Sequence, residues 1–477
     1  MPDCREQRVI ADLKPYQAYK DSGLTWLDTV PSHWGRRRMK FLFSERTQKG
    51  FPEEPLLAAT QTKGVVRKED YGKRTVTAMK DFHLLKLVQV GDFVISLRSF
   101  EGGIEVSHCR GIISPAYTVL KPSGDATQAY YSRLFKSADF ISGLTLFVTG
   151  IREGQNIDYE RMSRDYMPLP PVEEQVAIGR FLDWANARLE RTIRAKRRVI
   201  KLLTEQKQAI IHRAVTRGLD PTVPLKPSGI AWLGDIPAHW DLHNLGRAIR
   251  LITGFPFPSG GFSVLESDMR LVRGINVTPS GLRWDSVVRW KRTPGDVLDD
   301  FALKVGDIVL GMDRPIIGAG VRAASVEEKD VPSLLLQRVA RLRPTAKLDA
   351  NYLLLLLRGR LFADYVTPIF TGISVPHLSP EQIKGFKVAL PPVSEQQAIR
   401  SYVEAKTTGL NTAISRLERE IDLLREYGTR LVADVVTGKL DVREAAARLP
   451  DEAPLDSVED AADLGDEIES EAEEIEA

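Results

Sequence analysis

Residues 169–178 read LPPVEEQVAI, and residues 390–399 read LPPVSEQQAI. After each pair of prolines the chain meets no further proline before Gly218 and Gly438, respectively. Proline suits the first turn of a helix, where its missing N–H costs nothing. Glu173, Glu174 and Glu395 fall where the positive end of the helix dipole favours an acid. Beyond them, Leu182, Leu189, Lys196, Leu203 and Ile210 recur at seven-residue intervals, and Val403, Leu410, Leu417, Leu424 and Leu431 do the same. Ile193, Val199, Ile200, Ile414 and Ile421 widen the stripe. A sustained seven-residue apolar repeat predicts a coiled-coil seam. Each helix should run for about 45 residues, roughly 68 Å at 1.5 Å per residue. The two seams correspond position by position, so the simplest pairing is of one with the other, antiparallel.

The repetition extends outward from these helices. Residues 20–34 read KDSGLTWLDTVPSHW and residues 226–240 read KPSGIAWLGDIPAHW, with eight identities in fifteen positions, two of them tryptophans. Shorter echoes lie between: VGDFVIS (90–96) with VGDIVLG (305–311), and TGI at 149–151 and 371–373. The period is far too long for a solenoid repeat, so the chain contains a domain duplication. The segments inside the frame, 35–168 and 241–388, read as mixed α+β. Candidate strands are Asp92–Leu97, Ala116–Leu120, Asp307–Leu310 and Arg338–Leu342, and helices start at Tyr130–Phe135 and Tyr352–Leu357. The expected fold class is α+β: two mixed domains joined by two long antiparallel coiled-coil helices, with pseudo-two-fold internal duplication. Its divisions are an N-terminal extension (1–18), a first mixed domain (19–168), a helical region (169–218), a second mixed domain (219–388), a second helical region (389–441) and an acidic, disordered tail (442–477). A common frame around different interiors predicts one task performed on two different targets.

Charge suggests the kind of target. The net charge of +2 resolves into a tail of −13, since residues 451–477 hold thirteen acids and no Lys or Arg, and a body of +15. A body this basic is expected of a protein that sits on phosphates. The tail lacks apolar periodicity and reads as a solubilising segment. Cys4 and Cys109 allow no disulfide framework and form no Cys-x-x-Cys pair, which fits a reducing cytoplasm. The start carries no signal peptide. The longest apolar run, 352–357, falls far short of the roughly 20 residues a membrane span needs.

Basic and amide side chains crowd the expected loops of both mixed segments. In the first they are Arg67, Lys68, Lys73, Arg74, Arg98, Arg152, Gln155 and Asn156; in the second, Arg270, Arg273, Asn276, Arg314 and His377. Arg and Lys can reach guanine O6 and N7, and Asn and Gln can reach adenine N6 and N7, so these are the candidate base readers. A further basic stretch, Arg188 to Lys201, lies on the first long helix. It can meet either phosphates or the acids Glu418, Glu420 and Asp422 across the seam.

The W-L-x-x-x-P-x-H-W segment before each mixed domain, and L-P-P-x-x-E-Q-x-x-I at the head of each long helix, resemble the specificity subunits of type I restriction–modification enzymes, the HsdS family. GIISPAYTVLKP (111–122) and LLLQRVARLRP (334–344) are similar to the target-recognition domains of that family. The resemblance covers residues 19 to about 441. It implies two target-recognition domains on an antiparallel helix pair, double-stranded DNA as ligand, two modification (methyltransferase) subunits on the helices and restriction subunits outside them. S-adenosylmethionine, ATP and Mg would then belong to those partners, with no cofactor on this chain.

The residues agree with a non-catalytic role. Adenine methyltransferases hold the flipped base with an Asp/Asn/Ser-Pro-Pro-aromatic motif. The only Pro-Pro pairs here are flanked by Leu and Val. No Gly-x-x-x-x-Gly-Lys-Ser/Thr loop is present for ATP. His239 and His243 have helical metal-ligand spacing, but the first copy has His33 and Arg37 there and no cysteine or third histidine lies nearby, so His33 and His239 are expected to pack beside Trp34 and Trp240. The rival readings are a coiled-coil scaffold that never touches DNA and a stand-alone fused restriction or methylation enzyme.

Overall fold

The computed structural model describes residues 13–61, 63–71, 81–149, 156–318, 320–371 and 376–450. They form two compact units, one built on residues 13–196 and 419–450, the other on residues 197–418. The two long helices are Val172–Arg217 and Val393–Val436. In the first unit, Phe181 and Leu182 from the start of one helix share a core with Leu431, Val435 and Val436 from the end of the other. In the second unit, Ile211, Ala214 and Val215 from the end of the first helix share a core with Ile399 and Val403 from the start of the second. Within each unit the helices therefore run antiparallel.

The seam advances in alternating steps of four and three residues. Leu182, Ile193, Val403, Ile421 and Leu431 are buried, while Leu189, Ile200, Leu203, Ile210, Leu410, Ile414, Leu417 and Leu424 are half-buried. Thr407 and Gly428 continue the stripe; Thr407 is buried, and a Cβ at Gly428 would press on Leu189. A helix pair covers only one side of each residue, which explains the half burial. Val199 departs from expectation: it lies one residue off this stripe and is exposed. Lys196, at a seam position, donates from Nζ to Glu420 Oε2 at 2.6 Å, so this part of the basic stretch is answered by an acid of the second helix.

Both copies repeat one topology. A hairpin (Tyr19–Leu24 with Leu27–Pro31; Leu225–Pro227 with Asp235–Pro237) precedes a strand that pairs antiparallel with the last strand of its own domain. Gly35–Arg38 pairs with Tyr166–Leu169, and Asp241–Asn244 with Lys387–Leu390. That pairing brings both ends of each mixed segment to the head of a long helix. Inside sits a four-stranded antiparallel sheet, in the order Phe43–Glu45, Thr118–Pro122, Phe93–Ile95, Glu105–Val106 in the first copy. In the second copy the order is Ile249–Thr253, Val339–Pro344, Ile308–Gly311, Ala323–Ser325. Two helices cover each sheet: Gln128–Leu134 and Ala138–Leu144, then Ala350–Arg358 and Arg360–Val366. The Val-Gly-Asp echo is the turn into the central strand. Gly91 and Gly306 take φ of 87° and 86°, and Asp92 and Asp307 are buried. Asp92 accepts a two-point bond from Arg46 (2.7 and 3.1 Å), and Asp307 one from Arg343 (2.6 and 2.7 Å).

The repeated motifs meet at the head of each long helix. Glu174 Oε1 accepts from Trp34 Nε1 at 2.8 Å and from the Tyr16 hydroxyl at 2.5 Å, while His33 Nε2 reaches Oε2 at 2.8 Å. In the second copy Glu395 holds Trp240 Nε1 at 3.1 Å and His239 Nε2 at 2.8 Å. The next residue fastens the other side. Gln175 accepts from the N–H and hydroxyl of Thr127, which precedes a sheet-covering helix, and donates to the Asp125 and Pro170 carbonyls. Gln396 accepts from Asp349 N–H and donates to the Lys347 and Pro391 carbonyls. Buried polar groups must be satisfied, which is the physical content of the Glu-Gln pair and its distant His-Trp partner.

Two divisions expected from sequence move. Tyr16, assigned to an extension, is buried in the first core. Residues 442–450, assigned to a disordered tail, include the helix Arg443–Ala447, and Val442, Ala446 and Leu449 are buried in the same core. Leu449 and its neighbours supply apolar anchors that the charge run beyond them masks in a compositional reading. Residues 1–12 and 451–477, with Cys4 and the acidic run, lie outside the described residues.

Glu174 is only 4% exposed and holds three donors, whereas Glu395 is 28% exposed and holds two. Glu174→Ala should therefore cost about 3 kcal/mol, because it strands buried donors, and Glu395→Ala about 1 kcal/mol, because water can replace the carboxylate. Urea denaturation followed by tryptophan fluorescence checks the order and the difference.

Candidate nucleic-acid interface

Three loops gather at the same place in each copy, set by the shared sheet. One follows the central strand and another precedes the neighbouring strand. The third carries a residue bridged to the threonine of the Thr-Gly-Ile echo. In the second copy these are the turn at Asp313–Arg314, the turn at Gln337–Arg338, and His377. Asp313 and Thr371 each form a β-bridge with His377, and Met312 N–H donates to the Arg338 carbonyl at 2.9 Å. His377 Nδ1 lies 2.6 Å from Asp313 Oδ1. In the first copy the Thr118–Ile95 pairing carries Ala116 to the place of Arg338. Arg98 takes the turn after the central strand, and Asn156, paired with Thr149, takes the place of His377. The helix Ser99–Gly102 packs against the strand Asn156–Ile157, closing the group.

Four candidate base readers thus fall into equivalent clusters: Arg98 and Asn156 in one copy, Arg314 and His377 in the other. A second group surrounds the strand Met269–Val272. Arg270 lies over the Trp284 ring at 4.4 Å and donates to the Lys329 carbonyl at 2.8 Å; Arg273 donates to the Ser286 carbonyl and hydroxyl. Asn276, expected at a base edge, is buried instead. Its amide donates to the Arg283 and Ser286 carbonyls and accepts from Arg273 N–H, so its hydrogen-bonding capacity is spent on shaping this loop. Arg67 and Lys68 lie apart from the first cluster, at the end of the strand Gly64–Arg67 and the start of the short helix Lys68–Tyr71. Arg67 is exposed, 3.8 Å from Glu69. Lys73, Arg74, Arg152 and Gln155 lie outside the described residues.

The chain is 27% identical over 342 residues to the type I restriction enzyme MjaVIII specificity subunit of Methanocaldococcus jannaschii, covering 70% of this chain and 75% of that one. It is 29% identical over 210 residues to the EcoAI specificity subunit of Escherichia coli, covering 43% of this chain and 34% of that one. Among solved structures, a chain from a study of complex assembly and conformational transition of the type I R-M system superposes with a TM-score of 0.56 at 17% identity. The superposition covers 86% of this chain and 99% of that one and shows a shared fold. No family model matches the sequence. In sequence over 70% of its length, the chain is similar to a type I specificity subunit.

Two arginines that sequence reasoning passed over organise the second cluster. Arg322, in the short stretch between two strands, is nearly buried, and among the described residues its hydrogen bonds go to backbone carbonyls. It donates from Nε to the Val277 carbonyl at 3.0 Å, from Nη1 to the Asp313 carbonyl at 3.3 Å, and from Nη2 to the Gly274 carbonyl. It therefore ties the Arg273 loop to the Asp313–Arg314 turn. Burial pushes its guanidinium below the usual range, with the Asp313 carboxylate opposing. The expected strand Arg338–Leu342 begins instead at Val339, and Arg338 occupies the turn before it. Its only advance signal was its position directly before the apolar alternation.

Among the described residues no group of three or more His, Cys, Asp or Glu is arranged to hold a metal ion, and no helix is long and apolar enough to cross a membrane. Cys109 is half-buried, and burial pushes its thiol up, away from reactivity. Arg322→Leu leaves three carbonyls without their donor and should lower stability by about 2–3 kcal/mol. A drop in the unfolding midpoint of the second unit, measured by hydrogen exchange of its sheet, checks this.

Proposed function

We propose that this chain reads double-stranded DNA for a type I restriction–modification complex, each copy's loop cluster contacting one half of an asymmetric, bipartite site. The observation that carries the reading is that one frame presents two topologically equivalent clusters whose side chains differ: Arg98, Ala116 and Asn156 against Arg314, Arg338 and His377. Equivalent placement supports one task, and unlike side chains support two different half-sites. Arg270 and Arg273 near the second cluster, and Arg67 and Lys68 away from the first, serve as phosphate or base contacts, and most such contacts position rather than specify. Lys73, Arg74, Arg152 and Gln155 remain candidates on sequence grounds.

The chain directs chemistry that other chains perform. Two modification subunits would dock on the helical regions, with restriction subunits outside them, and S-adenosylmethionine, ATP and Mg would bind those partners in the cytoplasm. Residues 13–168 and 219–388 act as the recognition domains and the helix pair as a stiff ruler for the unread spacer.

Binding to DNA should weaken steeply with salt, as phosphate contacts release counterions. Fluorescence anisotropy of the full chain with its modification subunits, from 50 to about 200 mM salt, checks this; a flat response supports the scaffold reading. Removing one matched heptad from each long helix, residues 196–202 with 417–423, keeps the seam in phase and shortens the pair by about 10 Å. The preferred spacer should shrink by about three base pairs, at roughly 3.4 Å each, with both half-sites unchanged. Selection from a DNA library of varied spacer length reads this directly.

A further inference from the structure

Among the described residues, two that are not glycine adopt positive φ, and both are arginines in the second loop cluster: Arg314 at 43° and Arg338 at 69°. Such conformations strain a residue with a Cβ, and they collect where function requires a fixed side-chain direction. The fold itself does not demand the strain at position 338. Ala116, which holds the same register in the first copy, is not among the positive-φ residues. Glycine would hold the turn without strain, yet the chain places its longest cation there.

The surroundings fix the direction of that side chain. The Arg338 carbonyl is pinned by Met312 N–H at 2.9 Å, and Arg314 N–H is pinned to the Pro376 carbonyl at 2.7 Å, so both turns are locked. Arg338 Nη1 lies 3.3 Å from both ring nitrogens of His377 and 3.7 Å from Asp313 Oδ1. His377 is in turn held by Asp313, whose carbonyl is held by Arg322. The side chain of Arg338 is nevertheless 59% exposed, and its contacts among the described residues run through Nη1. An exposed guanidinium aimed by a strained backbone and braced at one nitrogen matches the requirement for two-point recognition of guanine O6 and N7, where a planar fork must arrive in a set orientation.

We infer that Arg338 is a specificity-determining residue of the second copy, reading a guanine in its half-site from the major groove, with His377 and Asp313 as positioning residues. The inference rests on the DNA-reading role proposed above and names the residue and the base.

Arg338→Gly tests it, because glycine accepts the φ of 69° and relieves the strain while removing the side chain. The variant should melt at or above the parent temperature. The full chain, assembled with its modification subunits, is used to select from double-stranded oligonucleotides randomised over both half-sites. The parent should select one bipartite sequence. The variant should lose preference at a single G·C pair of one half-site by about ten- to hundred-fold, with the other half-site unchanged. Uniformly weaker binding with the sequence profile intact and a salt slope smaller by about one would make Arg338 a phosphate contact and overturn the inference. An unchanged profile at unchanged affinity would overturn it as well. If the parent itself selects no sequence, the DNA-reading role fails first and the inference falls with it.

Discussion

A carboxylate in the first turn of each long helix, buried at Glu174 and half-buried at Glu395, ties the start of its mixed domain to that helix. Glu174 and Glu395 each bind the indole N–H of a tryptophan and the ring of the preceding histidine, residues more than 130 positions upstream. The glutamine that follows each binds the backbone at the start of a helix in the same domain. Entry strand, exit strand and covering helix thus converge on the head of a single helix. A domain attached in this way inherits a fixed orientation from the helix that carries it. The helix then needs only a seam with its partner, and that seam is thin, with most of its middle positions half-buried.

This arrangement separates what must stay constant from what can vary. The sheet order, the Val-Gly-Asp turn with its buried aspartate, and the Glu-Gln clamp occur in both copies. Between them the copies diverge. The first fills its interior with the hairpin Leu57–Thr60 and Gly64–Arg67, the second with a three-stranded sheet that includes a parallel pair. The loops that gather at the edge of the conserved sheet carry different polar side chains in each. One frame thus carries two different sets of loops.

Much of this was legible in the sequence, because the features that specify the frame are periodic or repeated. The heptads of Leu182 to Ile210 and Val403 to Leu431 marked the helices and their direction, and the repeated tryptophans marked the duplication. What the repeats could not convey was purpose at the level of contacts. The Glu-Gln pair read as a helix start, since its partners lie far away in sequence. Asn276 read as a base reader, since burial does not show in composition, and Arg338 read as a strand residue, since only the backbone reveals a positive φ. Tyr16 and Leu449 were set aside as extension and tail because they lie beyond the repeated frame, yet both fill the first core.

If this chain alone sets which DNA sequence a type I complex modifies, mapping methylated bases genome-wide will show it, in cells that express the partner subunits with and without this chain. One bipartite, asymmetric N6-methyladenine motif should disappear when the chain is removed. An unchanged methylation pattern, with the partners still expressed, would contradict it.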